Sequence, residues 1–106
     1  LLCVVPKTYV PNYNEFYENR WWQPAPASMG TFDSAAFGSV PFGTRQLLRC
    51  GDALVGIEIC EDMWTPVSPG SLAALAGADV VVNLSASDDL TGKYAYLRSL
   101  VASRSA

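Results

Sequence analysis

Along "LVGIEIC", residues 54–60, Val55, Ile57 and Ile59 alternate with smaller or polar residues. That two-residue period predicts a β-strand with Cys60 at its carboxyl end. The longer stretch "TRQLLRCGDALVGIEIC" predicts two strands around the turn "CGD". "LLCVVP" predicts a buried strand closed by Pro6, which cannot donate to a ladder. "DVVVNLSAS" is a near-continuous apolar run, the pattern of a strand in a sheet covered on both faces. Between these strands "SPGSLAALAGA" predicts a helix capped by Ser71, with Leu72, Leu75 and Ala76 on its apolar face and Gly77 as its stop. "DDLTGKYAYLRSLVASRSA" predicts a second helix with Tyr94, Leu97 and Val101 on one stripe. "KTYVPNYNEFYENRWWQPAP" is expected to be a long ordered loop with one helical turn near "NEFYE". "ASMGTFDSAAFGSVPFG", rich in Gly, Ser and Ala, is expected to be irregular, with a turn at Gly43. The β-α-β-α order of the second half implies an α/β fold with a parallel sheet and right-handed crossovers. There is no internal repeat, low-complexity tract or interdomain linker.

Composition narrows the function classes. Half of the 106 residues are hydrophobic and 16% are charged, which suits a globular core and not a disordered tail. The formal net charge is -3 and Lys and Arg are nowhere clustered, so no footprint for nucleic acid or an anionic membrane surface exists. No apolar run approaches the roughly 20 residues of a membrane-spanning helix. The opening "LLCVVPK" lacks a basic leader and a cleavage signal. Cys3, Cys50 and Cys60 are odd in number and have no CxxC spacing, which argues for a reducing, cytoplasmic setting. With no histidine, the chain holds no Cys–His or Ser–His pair and lacks the commonest zinc ligand. The chain opens within a predicted strand and stops within a predicted helix, and it has too few elements to cover both faces of a parallel sheet. We therefore expect it to be a piece of a longer protein, truncated at both ends.

In open α/β sheets, ligands gather at the carboxyl ends of strands. Three such ends here carry polar residues: Lys7 after "LLCVVP", Cys60 after "LVGIEI", and Ser85 and Ser87 after "DVVVNL". Glu61 and Asp62 disfavour the thiolate of the adjacent Cys60 by like-charge repulsion, so a reactive Cys60 needs a positive group from elsewhere. Lys7 is the candidate. The plain alternative is structural, with Cys60 a small buried hydrophobe, Glu18 and Asp62 ordinary ion pairs and Trp64 a packing residue.

"VVPKTYVPNYNEFYENRWW", "VPFG", "VGIEICEDMW" and "GADVVVNLSASDDLTGKYAYLRSLVASRSA" together span almost the whole chain. They resemble the amidohydrolase (glutaminase) part of the glutamine-dependent NAD synthetases, within the nitrilase, or carbon–nitrogen hydrolase, superfamily. The resemblance implies a fragment of a nitrilase-type α-β-β-α sandwich, with residues 1–106 forming the central-to-C-terminal part of one such domain. It implies hydrolysis of glutamine through a cysteine thioester, the ammonia serving an ATP-dependent amidation of nicotinic acid adenine dinucleotide. By the same resemblance Cys60 matches the nucleophile and Lys7 the lysine of a Glu–Lys–Cys triad, while Glu18 matches a further carboxylate that holds Lys7. Tyr13, Glu61, Trp64 and Ser87 match positions that contact glutamine, with Glu61 suited to the α-ammonium. No metal or cofactor is implied for this segment. ATP and Mg2+ belong to a synthetase domain outside it, and a homo-oligomer is implied for the parent.

In the resemblance, the triad glutamate precedes the lysine on an earlier strand, and no residue of this chain fills that place. Glu15 and Glu18 both follow Lys7. The isolated segment is therefore expected to be inactive. Two other readings stand beside the main one: a nitrilase-superfamily amidase or nitrilase with a different substrate, and an inactive structural fragment.

Overall fold

A computed structural model describes residues 1–105 of the chain. The turn "CGD" forms as the alternation predicts. β3 (Leu47–Cys50) and β4 (Ala53–Ile59) pair antiparallel, with Cys50 opposite Ala53. Gly51, at φ +62°, takes the first central position of the connection, where a two-residue hairpin needs a residue without Cβ. β4 is the middle strand of three. On its other side runs β5 (Val80–Leu84), parallel to it, with Ile59 opposite Leu84. The carboxyl ends of β4 and β5 therefore lie side by side, at the edge where the polar residues after each strand converge.

α1 (Pro69–Leu75) connects β4 to β5 and packs on β4 through an unusually close approach. A Cβ on Gly56 would lie 2.5 Å from the Cβ of Ala73, so only glycine admits the helix at that distance. This is why the Gly56 and Glu58 side of β4 is the buried one, while Val55, Ile57 and Ile59 are partly exposed. The cap of α1 differs from expectation. Ser68, not Ser71, is the N-cap, its Oγ accepting from the Ser71 N–H, and Pro69 takes the first turn, where a missing N–H costs nothing. The apolar face shifts accordingly: Leu72 and Leu75 are exposed, and Pro69, Gly70 and Ala73 face the sheet. Gly77, at φ +96°, ends the helix as predicted.

α2 (Lys93–Arg104) begins later than the sequence pattern suggests, because Gly92 at φ +83° breaks the backbone before it. Its covered stripe is Lys93, Leu97, Leu100 and Arg104, whereas Tyr94 and Val101 are exposed. The stripe is polar at both ends because each end is tied to another element. Arg104 donates to Ser68 Oγ, to Ser71 Oγ at 2.7 Å and to the Thr65 carbonyl at 2.7 Å, joining the end of α2 to the start of α1. Ala106, the last residue of the predicted helix, lies outside the described residues.

Two expectations fail in the first half. "ASMGTFDSAAFGSVPFG" is not irregular but holds the hairpin β1 (Gly30–Ser34) and β2 (Gly38–Phe42), with Phe32 opposite Val40. Gly38 at φ +74° supplies the turn, and Val40 is one of the few buried apolar side chains. "LLCVVP" contributes a single parallel bridge between Val4 and Phe42 instead of a strand. The Val4 N–H donates to the Pro41 carbonyl and its own carbonyl accepts from Gly43 N–H and Gln46 Nε2, which fixes the backbone just before Lys7. One 3-10 turn, Glu18–Arg20, follows "NEFYE" where a helical turn is expected. Val80, Val81, Val82 and Leu84 of β5 are exposed, so the described residues do not supply the two-sided cover its apolar run predicts. No helix among them is long and apolar enough to cross a membrane.

Candidate active site

Cys60 sits where β4 gives way to a 3-10 turn, Cys60–Trp64, and its φ is +48°. A residue with a Cβ is strained in this region, at a cost on the order of 1–3 kcal/mol, and such strain concentrates at functional sites. The turn is held from two directions. Asn83 on β5 donates through Nδ2 to the Cys60 carbonyl and to Glu58 Oε1, both at 3.3 Å. Glu58, 3% exposed, also accepts from the Gly70 N–H of α1 at 2.9 Å. The strained cysteine thus rests on a network of hydrogen bonds rooted in the neighbouring strand and helix.

Lys7 lies at the head of the long loop, its Nζ 2.6 Å from Glu18 Oε2. The pair is partly buried, with side-chain exposures of 17% and 29%, so the ammonium is paired without being sealed from a ligand. Glu18 reaches this position because the 3-10 turn Glu18–Arg20 folds the loop back, its N–H donating to the Pro11 carbonyl.

The loop and the cysteine turn meet again at Tyr13 and Glu61. The Tyr13 hydroxyl donates to the Glu61 carboxylate, 2.9 and 3.0 Å from its two oxygens. Partial burial first, and then this hydrogen bond, push the Tyr13 phenol up to about 12. The fields of Cys60 and Asp88 act in the same direction.

Ser87 and Trp64 flank the same region through a residue that sequence reasoning missed. Lys93, the first residue of α2, donates to Ser87 Oγ at 2.6 Å, to the Asp88 carbonyl at 2.9 Å and to the Asp88 carboxylate. Its Nζ also lies 5.7 Å from the centre of the Trp64 ring, which stacks on Tyr96 at 5.5 Å. Lys93, and then Glu15, hold the Asp88 carboxyl below the usual carboxylate range. The helical pattern of α2 gave no reason to single out Lys93, because a lysine in the first turn of a helix reads as a solvated charge.

Asp62, which the sequence offers only as a negative neighbour of Cys60 or an ordinary ion pair, is held differently. It is 1% exposed, and instead of an ion pair it has three backbone N–H donors: Thr8, Tyr9 and Ile59. Burial pushes its carboxyl above the usual range, while the N–H donors and the Lys7 charge pull the other way.

These contacts assemble a thiol on a strained turn, an ammonium paired with Glu18, a carboxylate hydrogen-bonded to a phenol, and a second ammonium paired with the Asp88 carboxylate beside a hydroxyl. A compact zwitterion with a reactive carbonyl group matches those charges. A carboxylate beside a phenol can receive its ammonium, a hydroxyl beside an ammonium can receive its carboxylate, and the thiol can attack its carbonyl carbon.

No family model matches the chain. Over a 109-residue alignment that takes in the whole chain, it is 43% identical to a glutamine-dependent NAD(+) synthetase of Mycobacterium tuberculosis, and this covers 16% of that relative. It is 32% identical over 102 residues to the glutamine-dependent NAD(+) synthetase of Homo sapiens, covering 88% of the chain and 14% of the relative. Among solved structures, a glutamine-dependent NAD(+) synthetase from Cytophaga hutchinsonii superposes with a TM-score of 0.74 at 34% identity, covering 92% of the chain and 15% of that structure. The chain therefore spans about a sixth of the length of the curated relatives it matches.

Proposed function

The chain belongs to the family of the glutamine-dependent NAD(+) synthetases, and from that premise we propose that residues 1–106 carry the nucleophile of its glutaminase reaction. In this reading its α/β elements are the central-to-C-terminal part of one nitrilase-type domain. The synthetase domain, with ATP and Mg2+, lies elsewhere in the parent protein, which assembles as a homo-oligomer.

The chemistry follows from the charges. Glutamine enters with its α-ammonium on Glu61, which Tyr13 orients, and its α-carboxylate toward Ser87, where it takes the place of the Asp88 carboxylate on Lys93. Trp64, stacked on Tyr96, flanks the bound substrate. Cys60 Sγ attacks the side-chain amide carbon, and the amide oxygen becomes an oxyanion. Lys7 and the N–H after Cys60 stabilise that charge, and Glu18 keeps the ammonium in place and protonated. The C–N bond breaks, the nitrogen takes up a proton and leaves as ammonia, and a γ-glutamyl thioester remains on Cys60. Water then attacks the thioester carbon through a second oxyanion, the C–S bond breaks, and glutamate leaves. The general base that moves these protons is expected on a glutamate upstream of Lys7 in the parent.

The observation that carries this reading is Cys60 at φ +48° on the junction of β4 and its 3-10 turn. A buried structural cysteine needs no such backbone, whereas a nucleophile raised above the strand ends does. The experiment compares nitrogen sources. In the full-length protein Cys60→Ala should abolish glutamine-dependent NAD formation and leave ammonia-dependent formation intact, since free ammonia bypasses the thioester. Equal loss with both sources would overturn the reading.

A further inference from the structure

Lys7 and Cys60 lie on segments far apart in sequence, yet the proposed reaction needs an ammonium and a thiol set to within fractions of an ångström. Glu18 fixes the lysine side chain, and Asn83 the Cys60 carbonyl, but neither sets one segment relative to the other. Asp62 does. Its Oδ1 accepts from the N–H groups of Thr8, at 3.0 Å, and Tyr9, at 2.8 Å, the two residues after Lys7. Its Oδ2 accepts from Ile59 N–H at 3.0 Å, the residue before Cys60. The Asp62 carbonyl takes the Thr65 hydroxyl at 2.9 Å, closing the turn that carries the thiol. A single buried carboxylate therefore clasps the backbone after Lys7, 53 and 54 residues away, to the backbone around Cys60.

We propose that Asp62 is a positioning residue for the glutaminase reaction, setting the register between the Lys7 ammonium and the Cys60 thiol. The inference rests on the proposed function and adds a residue to it. Asp62 touches no substrate in this arrangement, because both of its oxygens are occupied by backbone N–H groups. A carboxylate is required and not merely a polar side chain. Asparagine has one acceptor oxygen and an amide NH2, so it can serve the Thr8 and Tyr9 donors or the Ile59 donor, but not both. The side left facing a donor must move. The Lys7 loop then slips relative to Cys60 while Glu61, Tyr13 and Lys93 still hold the substrate.

The test uses the full-length protein and follows glutamate release from glutamine. In Asp62→Asn, kcat should fall by about 100-fold, with KM for glutamine within about threefold of wild type. That split separates positioning from a merely structural role, which would cost glutamine binding as well. Asp62→Glu, which keeps the charge on a longer arm, should show the same split and serves as the second variant. An unchanged kcat in Asp62→Asn, or loss of glutamine binding in both variants, would overturn the inference. Wild type and Cys60→Ala run alongside. If wild type releases no glutamate, or Cys60→Ala still does, the proposed function itself has failed. If those two behave as expected and Asp62→Asn matches wild type, only the role of Asp62 has.

Discussion

Lys7 Nζ and Glu18 Oε2 stand 2.6 Å apart, a charge-assisted pair made between the head and the middle of one aromatic-rich loop. Because it is partly exposed, the pair adds little to stability. Its effect is to fix where the ammonium points. Glu18→Gln should therefore leave the melting temperature nearly unchanged and lower glutamine-dependent kcat by about tenfold or more, each factor of ten being about 1.4 kcal/mol of barrier. A variant with wild-type kcat would remove Glu18 from the mechanism.

Lys7→Met should act more strongly and in the same parameter. An ammonium that serves the oxyanion works in the transition state, and losing one such donor costs about 2.7–4 kcal/mol, or about 100- to 1,000-fold in kcat. Steady-state kinetics on glutamine decide it. A rise in KM with kcat unchanged would make Lys7 a binding residue only.

Tyr13 gives a pH signature. Its hydroxyl holds its proton to about 12 in the folded protein against an ordinary value of 10.0, chiefly through partial burial and the bond to Glu61. The folded state keeps a proton that the unfolded chain releases, so the contribution of this contact to stability is complete below pH 10.0 and is lost as pH rises toward about 12. The difference in phenolate absorbance between wild type and Tyr13→Phe should titrate near the upper value. A difference centred near 10.0 would mean that the Tyr13–Glu61 contact does not persist in solution.

Gly70 tests the support beneath the cysteine turn. A Cβ there would lie 2.6 Å from Glu58 Oε2 and 3.0 Å from Val81 Cγ1, and Glu58 is pinned by Gly70 N–H and Asn83. Gly70→Ala should destabilise the domain by about 1–3 kcal/mol through overpacking, despite the better helix propensity of alanine. Thermal melting of the full-length variant measures this. An unchanged melting temperature would show that Glu58 swings aside freely.

Much of this arrangement is legible in local sequence. The β3–β4 hairpin follows from alternation around "CGD", and α1 and its stop from "SPGSLAALAGA" and Gly77, though its cap is Ser68 and not the expected Ser71, because these signals act within a few residues. The β1–β2 hairpin escapes because "GTFDS" and "GSVPF" hold few apolar residues and Pro41 argues against a strand. The covered face of α1 escapes because it is set by Gly56, a glycine on another element that lets Ala73 come close. Cys60, Lys7 and Glu18 stand out through their motifs. Asp62 does not, since its partners are backbone N–H groups that any sequence supplies and only the fold brings near. Lys93 is likewise placed by the break at Gly92, which sets where α2 begins.

The central claim is that Cys60 is the nucleophile that takes the glutamyl group. A diazoketone analogue of glutamine measures this directly, since a thiolate at the site displaces dinitrogen from it and forms a stable thioether. The full-length protein, treated with the analogue and digested, should carry one label per chain on the peptide containing Cys60. Excess glutamine should prevent labelling, and Cys60→Ala should abolish it along with glutamate release. Label on Cys3 or Cys50, or glutamate release that persists with Cys60 fully unmodified and the analogue bound, would contradict the account.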